Sequence, residues 1–143
     1  MKPIEVVADT SVIVPWIKDR EETYSKECLK LFHDFVAEEV RVIVPQLFFH
    51  EISNFVVIGS RKEAFPEDNL RKLLSMDFSV YELKTTDFLD ISRMAHEKKI
   101  TAYDATYMHI AEALRIPLFT ADEQLAKAWG SRPGGHIRRY GLS

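Results

Sequence analysis

The sequence predicts an α/β fold, a three-layer α/β/α sandwich built around a parallel sheet of four or five strands. Segments with strand character alternate with segments of helical periodicity along the chain. The best strand candidates are continuous apolar runs, which is typical of parallel strands that are covered on both faces. Glycine is also scarce, because only Gly59 lies before residue 129. The first nine-tenths of the chain is therefore expected to be densely packed regular structure.

The strand candidates are short segments rich in β-branched and aromatic residues, bounded by turn or cap residues. They are Ile4–Ala8, Val40–Val44, Phe78–Leu83, Pro117–Thr120 and, as a fifth candidate, His136–Tyr140. Whether the last segment forms a strand decides between a sheet of four strands and one of five.

Helices are predicted between these strands, each with a start or stop signal. Asp9, Thr10 and Ser11 are cap-type residues ahead of the first helix, and Gly59 ends the third. The predicted helices are Val12–Ile17, Thr23 to about Glu38, Gln46–Ile58, a helix opened by Pro66 that carries Leu70, Leu73 and Leu74, a helix from Thr86 or Asp87 to Lys98, Tyr103–Arg115 after a Thr101 cap, and Glu123–Ala128.

Length and composition fit one globular domain spanning residues 1–143. Lys and Arg total 19 and Asp and Glu total 22, so the net charge of −3 argues against coating nucleic acid by bulk charge and leaves room for a local site. The single cysteine, Cys28, excludes a disulfide framework and a cysteine-based zinc cluster. We find no apolar run long enough for a membrane span and no secretory signal, so a cytoplasmic protein is expected.

Several familiar chemistries are excluded by missing residues. The chain has neither glycine-rich phosphate loop and no G-x-S-x-G serine motif. His50-Glu51 begins a zinc-protease motif, but Asn54 stands where the second His is required. A D-x-D phosphatase would need a second Asp where this chain has Ser11, and the third strand is not followed by the Asp of a phosphorylated receiver.

Two carboxylates follow predicted strands directly. Asp9 comes after the first strand, and Asp122 lies two residues past Pro117–Thr120. Ligands of open α/β sheets bind outside the carboxyl ends of the strands, where strand order reverses. If these two strands are neighbours, Asp9 and Asp122 meet at that point. Taken alone, each is equally explained as a helix cap.

Two further acids lie on predicted helices. Glu51 falls within the apolar face formed by Leu47, Phe55 and Ile58, where an ionised carboxylate needs a partner. That partner is either a basic residue or a metal ion, or else the acid is protonated. Asp104 lies in a first turn, where the helix dipole favours an anion, so it faces either a site or solvent.

As a set, these acids favour a hard divalent cation. Four carboxylates from four separate segments, without His or Cys, make up the oxygen ligation that Mg²⁺ or Mn²⁺ prefers. Carboxylates with such an ion most often carry out phosphoryl chemistry, in which the metal activates water and neutralises phosphate charge.

These motifs resemble those of the PIN-domain ribonucleases, most closely the small single-domain VapC-type toxins. The resemblance rests on motif order and spacing over essentially the whole chain. The matching segments are Asp9-Thr10-Ser11, Phe48-Phe49-His50-Glu51-Ile52, Asp104-Ala105 with Ala111, and Thr120-Ala121-Asp122.

The resemblance implies a Mg²⁺- or Mn²⁺-dependent endoribonuclease acting on RNA, with metal-binding carboxylates and nearby hydroxyls. The implied carboxylates are Asp9, Glu51, Asp104 and Asp122, and the implied hydroxyl groups are those of Thr10, Ser11 and Thr120. It also implies a homodimer held inactive by a cognate antitoxin protein. One position departs from the family: Gln124 stands where relatives often carry another acid, and Glu123 comes one residue early, which puts a second metal site in doubt.

Other features leave alternatives open. Basic pairs and Arg132 either contact RNA phosphates or lie on solvated helix faces; the pairs are Arg61-Lys62, Arg71-Lys72, Lys98-Lys99 and Arg138-Arg139. Certain aromatic side chains either stack bases or pack internally: Trp16, Phe49, Tyr103 and Tyr107. The helix around Phe48–Ile58 is apolar nearly all round, which indicates contact with a second chain. The alternative functions are a non-catalytic binding module and another phosphotransfer enzyme, such as a phosphatase or a DNA nuclease.

Overall fold

The computed structural model describes residues 2–17 and 25–141. Within these residues the chain forms five strands, β1 (Ile4–Ala8), β2 (Val40–Pro45), β3 (Ser79–Tyr81), β4 (Leu118–Thr120) and β5 (Gly134–His136). The helices are α1 (Thr10–Ile17), α2 (Ser25–Val36), α3 (Leu47–Gly59), α4 (Glu67–Leu74), α5 (Asp87–Lys98), α6 (Ala102–Leu114) and α7 (Glu123–Trp129). The predicted α/β fold with a parallel sheet is confirmed, and the sheet has five strands.

Strand order brings β1 and β4 side by side. The order across the sheet is β3-β2-β1-β4-β5, and all the pairings are parallel. The chain first builds outward from β1 to β3 and then returns to the other side of β1. Strand order therefore reverses between β1 and β4, where Val7 is in register with Leu118 and Ala8 with Phe119. The crevice at the carboxyl ends of these two strands is where such a sheet binds ligands.

The strands are buried as their apolar runs predict. In β1 the residues from Val6 to Ala8 are at most 2% exposed, and in β2 the Val42 and Val44 side chains are fully buried. Helix α1 contacts α2, α3 and α4, while α5 packs on α6 and α6 contacts β1, β2 and β4. No helix in the described part of the chain is long and apolar enough to cross a bilayer.

The two outermost strands differ from the prediction. The third strand covers only Ser79–Tyr81 rather than Phe78–Leu83, because pairing with β2 stops there. The predicted strand His136–Tyr140 is wrong: β5 is Gly134–His136, and residues Ile137–Arg139 form a short 3₁₀ helix. Glycines normally indicate turns, so the pattern placed the strand too late.

Helix ends differ by one or two residues. α1 begins at Thr10, directly after Asp9, rather than at Val12. α2 ends at Val36 rather than near Glu38, whose φ of 60° is left-handed. α3 includes Gly59, and α7 extends to Trp129. The predicted Thr23 cap lies outside the described residues.

Gly134 is required where β5 meets β4. Its φ is +94°, and a Cβ at this position would lie 2.2 Å from the Leu118 carbonyl oxygen. We expect Gly134→Ala to lower the free energy of unfolding by more than about 2 kcal/mol, because backbone strain and a backbone clash combine. Urea denaturation measures this. Gly59→Ala is the control, because its Cβ meets nothing within 4 Å; an equal loss there would contradict the explanation.

Candidate active site

Asp9 is fixed at the end of β1 by two hydroxyl groups. Ser11 Oγ donates to Asp9 Oδ1 over 2.6 Å, and Thr120 Oγ1 donates to Asp9 Oδ2 over 2.9 Å. The same hydroxyl oxygens accept backbone N–H groups beyond β4, from Ala121 to Ser11 at 2.9 Å and from Asp122 to Thr120 at 3.0 Å. Ser11 and Thr120 therefore connect the ends of the two adjacent strands and orient the carboxylate between them.

The Asp9 carboxyl is hard to ionise. Burial raises its pKa from 3.8 to about 7, although the hydrogen bonds from Ser11 and Thr120 pull it down. The negative charges of Asp104 and Glu51 raise the pKa further. A buried acid whose charged neighbours are also acids is a candidate functional group, because structural ion pairs normally place a cation there.

Glu51 extends from the second turn of α3 and is half-buried. Thr10 Oγ1 donates to Glu51 Oε1 over 3.1 Å, and the Tyr107 hydroxyl donates to the same oxygen over 2.5 Å. The hydrogen-bond partners of Glu51 are thus hydroxyls from α1 and α6 rather than Lys or Arg. Of the partners that the sequence left open, a basic residue is therefore not the one found for Glu51 in the described part of the chain.

Asp104 is half-buried and lies within the electrostatic influence of two other acids. It lies in the first turn of α6, which Thr101 caps by accepting the Asp104 N–H over 3.1 Å. Burial raises the pKa of Asp104, and the charges of Asp122 and Glu51 raise it further.

Asp122 serves as a helix cap and also acts on Asp104. Its Oδ1 accepts the backbone N–H groups of Gln124 at 2.8 Å and Leu125 at 3.1 Å. The neighbouring Glu123 is occupied differently, because Arg138 donates to its Oε1 over 2.8 Å. Glu123 is therefore held in a surface ion pair, in keeping with the doubt about a second metal site.

The four predicted acids are brought into one electrostatic neighbourhood, but they do not form a finished metal cage. The charges of Asp104 and Glu51 raise the pKa of Asp9, and the charges of Glu51 and Asp122 raise the pKa of Asp104. Among the described residues, no three Asp, Glu, His or Cys side chains are close enough together to hold one ion. The donor atoms nevertheless suit Mg²⁺ or Mn²⁺, because all of them are carboxylate oxygens and a bound cation would offset the repulsion between the carboxylates.

Two adjoining clefts lie beside α3 and α6, and one of them contains Glu51. One, of about 690 Å³, is lined by apolar and aromatic residues that include Leu47, Phe88 and Tyr103. The other, of about 610 Å³, includes Glu51 and Asn54 and shares Leu47 and Tyr103 with the first. Glu51 and the exposed Tyr103 side chain therefore line the same cleft.

Most of the aromatic and basic residues considered as RNA contacts instead pack internally or form surface ion pairs. Trp16 lies against Phe32 and Phe78, and Tyr107 is 1% exposed, so neither is free to stack a base, whereas Tyr103 is 62% exposed. Several predicted phosphate-binding cations form ion pairs with neighbouring carboxylates: Arg71 with Glu67, Arg132 with Glu112, and Arg138 with Glu123.

Tyr107 has a second contact that was not predicted from the sequence. Its ring packs internally, which is one of the two predicted alternatives, and its hydroxyl also donates to Glu51. A signal was present in the spacing, because a residue three positions after Asp104 lies close to the same helix face. Ser11, Thr10 and Thr120, in contrast, were predicted beside the acids and lie there.

Comparison with known proteins agrees with this architecture. The chain is similar in fold to PAE2754 from Pyrobaculum aerophilum, with 21% identity and a TM-score of 0.67 over 94% of this chain and 90% of that one. It is also similar to VapC20 from Mycobacterium tuberculosis, a toxin that cleaves the sarcin-ricin loop, with 12% identity and a TM-score of 0.65 over 86% and 94%.

A third neighbour is VapBC2 from Rickettsia felis, solved with a DNA fragment from its promoter. It shows 15% identity and a TM-score of 0.64 over 93% of this chain and 98% of that one. No curated protein is significantly similar in sequence. The sequence model of the PIN domain matches residues 6–129, which is most of the chain. The chain therefore belongs to the PIN domain family.

Proposed function

We propose that the chain is a single-domain endoribonuclease spanning residues 1–143 that requires Mg²⁺ or Mn²⁺ to hydrolyse RNA phosphodiester bonds. The observation that carries this proposal is that Asp9 lies at the switch point of the sheet under the negative charges of Asp104 and Glu51, while Asp122 acts on Asp104. Membership of the PIN domain family supports a nuclease, and the all-carboxylate donor set supports a divalent ion.

In this proposal the four carboxylates hold the ion, and the hydroxyls hold the carboxylates. A bound divalent ion supplies charge neutralisation at the scissile phosphate and lowers the pKa of an attacking water. Ser11 and Thr120 orient both oxygens of Asp9, and Thr10 orients Glu51. The backbone N–H groups of α7 fix the Asp122 carboxylate through its Oδ1. Pre-oriented ligands lower the entropic cost of assembling the site.

Metal binding is tested directly by thermal unfolding. At a Mn²⁺ concentration about 100 times the Kd, mass action stabilises the protein by about 2.7 kcal/mol. For a domain of this size that corresponds to a rise in Tm of roughly 5–10 °C. We expect EDTA to reverse the rise and the variant carrying both Asp9→Asn and Asp104→Asn to lack it. An unchanged Tm in millimolar Mn²⁺ would count against a metal site.

The second candidate is a PIN-fold binding module without catalysis. It is favoured by one observation, namely that no three acidic, His or Cys side chains in the described residues are close enough together to hold an ion. In this case the acids recognise a partner, and Mn²⁺ changes neither Tm nor cleavage. The remaining alternative is a DNA nuclease. Matched single-stranded RNA and DNA substrates distinguish it, because a DNA nuclease cleaves the DNA and a ribonuclease cleaves the RNA.

We further propose a biological role as the toxin of a toxin–antitoxin pair, in the cytoplasm, with a cognate antitoxin protein as partner. This is supported by structural neighbours that were solved as toxin–antitoxin assemblies from Klebsiella pneumoniae, Rickettsia felis and Salmonella typhimurium. A reading frame beside this gene whose product binds the chain and stops RNA cleavage is the expected finding; cleavage unaffected by the neighbouring product would argue against it.

A homodimer is proposed from the apolar character of α3. Phe48 and Ile52 are fully buried, but Val57 and Ile58 remain 52% and 50% exposed. Exposed apolar side chains beside the buried face of a helix are typical of a contact with another chain. Light scattering in solution tests this, and a monomeric mass would refute it.

A further inference from the structure

We propose that Tyr107 is a positioning residue that holds the Glu51 carboxylate through its hydroxyl group and thereby sets the affinity of the site for its divalent ion. The inference deepens the proposed function and rests on it. Tyr107 is 1% exposed in α6, so its ring is part of the core and cannot contact substrate. Only the hydroxyl reaches the site.

The Tyr107 hydroxyl donates to a carboxylate oxygen of Glu51 that also accepts a hydrogen bond from Thr10. Glu51 Oε1 accepts Tyr107 Oη over 2.5 Å and Thr10 Oγ1 over 3.1 Å, and the two hydroxyl oxygens are 3.3 Å apart. Three helices, α1, α3 and α6, thus converge on one carboxylate oxygen. Two donors use the lone-pair capacity of Oε1, which leaves Oε2 as the oxygen of Glu51 available to an ion.

The direction of this hydrogen bond follows from the two groups themselves. A phenol O–H donates and a carboxylate oxygen accepts, so Tyr107 is the donor and Glu51 Oε1 the acceptor. Donation to an ionised acceptor is a short, strong and directional bond, which restricts the rotation of the acceptor.

A purely structural role makes a different prediction. If the hydroxyl only satisfies a buried donor, removing it changes stability and leaves the ion affinity of the folded protein unaltered. If it positions Glu51, removing it weakens ion binding even at temperatures where the variant is fully folded. Residues that orient metal ligands typically change affinity by about 10- to 100-fold when mutated.

The test compares two isosteric substitutions. Tyr107→Phe removes the hydroxyl beside Glu51, and Tyr140→Phe removes a hydroxyl that donates to Asp34 Oδ2 over the same 2.5 Å. Each variant loses one hydrogen bond from a tyrosine to a carboxylate, but only Tyr107→Phe loses it at a proposed metal ligand. Calorimetric titration with Mn²⁺ gives the Kd of each folded variant, and cleavage of a single-stranded RNA is measured against Mn²⁺ concentration.

We expect the Mn²⁺ Kd of Tyr107→Phe to rise about 10-fold or more. The cleavage curve should shift to higher Mn²⁺ by the same factor, with the KM for RNA unchanged at saturating Mn²⁺. Tyr140→Phe should match the wild type in all three measurements. If Tyr107→Phe loses its fold, Thr10→Val, which removes the other donor to Oε1 from a partly exposed position, should give a smaller shift of the same kind.

Failure of this inference and failure of the proposed function are distinguishable. Wild-type protein that binds Mn²⁺ and cleaves RNA, together with a Tyr107→Phe variant of unchanged Kd, refutes the positioning role alone. Equal rises in Kd for Tyr107→Phe and Tyr140→Phe refute it as well, because the effect is then general. Wild-type protein that neither binds Mn²⁺ nor cleaves RNA overturns the proposed function and the positioning role together.

Discussion

Substituting Asn for both Asp9 and Asp104 is expected to reduce RNA cleavage by at least about 100-fold, the loss that follows removal of a single preorganised electrostatic group. The two residues come from the end of β1 and the first turn of α6, and the charge of Asp104 raises the electrostatic cost of ionising Asp9. Replacing both removes two of the four carboxylates that are proposed to hold the ion and leaves only Glu51 and Asp122. Asn keeps the size and shape of Asp and exchanges one acceptor oxygen for an NH₂ donor, so the fold should persist.

The control for this variant carries the same charge change elsewhere. Asp68 and Asp90 are exposed on α4 and α5, so Asp68→Asn with Asp90→Asn raises the net charge equally without touching the site. The surface pair between Asp90 and Arg93 that it breaks contributes little. Initial rates with a single-stranded RNA at saturating Mn²⁺ compare the two. Parental cleavage by the Asp9 and Asp104 double variant would show that the acids are not the catalytic centre.

Local sequence chemistry was sufficient to predict the strand ends from which two of the acids extend. Asp9 is placed at the end of a strand because the preceding residues are a continuous apolar run, and β1 confirms this. The ends of β1 and β4 are adjacent, and Thr120 links the Asp9 carboxylate to the backbone N–H of Asp122. The roles of the Ser11 and Thr120 hydroxyls, in contrast, follow only from the resemblance to the PIN-domain ribonucleases.

Contacts between distant segments were beyond prediction from the residues alone. Tyr107 and Glu51 are separated by 56 positions, and helical periodicity places the Tyr107 ring in the core without saying what its hydroxyl meets. The early start of β5 has a similar origin. The strand needs a glycine at position 134 because β4 approaches too closely for a Cβ. That approach is a property of the folded sheet and is not visible in the local sequence.

Asp9→Asn alone is expected to stabilise the protein at pH 8 in the presence of EDTA. In the unfolded chain the Asp9 carboxyl titrates near 3.8, whereas burial raises its pKa to about 7 in the folded protein. Between these pH values the folded state keeps a proton that the unfolded state releases. The wild type therefore loses stability as pH rises from about 4 to about 7, and little changes above that.

The size of the effect follows from the same difference. A rise in pKa from 3.8 to about 7 corresponds to about 4 kcal/mol against the charged form, and the gain from Asn should reach about 2–4 kcal/mol at pH 8. At pH 4 the gain should vanish, because Asp9 is then protonated in the folded protein. Urea denaturation of both proteins at the two pH values measures it. Comparing variant with wild type isolates Asp9 from Asp104, whose raised pKa acts in both.

Asp34→Asn is the matched control of opposite sign. Burial raises the pKa of Asp34, but hydrogen bonds from Lys30 and Tyr140 outweigh it and hold the pKa below its usual range. Ionised Asp34 therefore stabilises the fold above pH 4, and its replacement should lower stability at pH 8. If Asp9→Asn behaved like Asp34→Asn, the carboxylate of Asp9 would be a structural element of the Ser11 and Thr120 network. A stability gain accompanied by lost cleavage would instead mean that the charge at Asp9 is maintained for chemistry, against the preference of the fold.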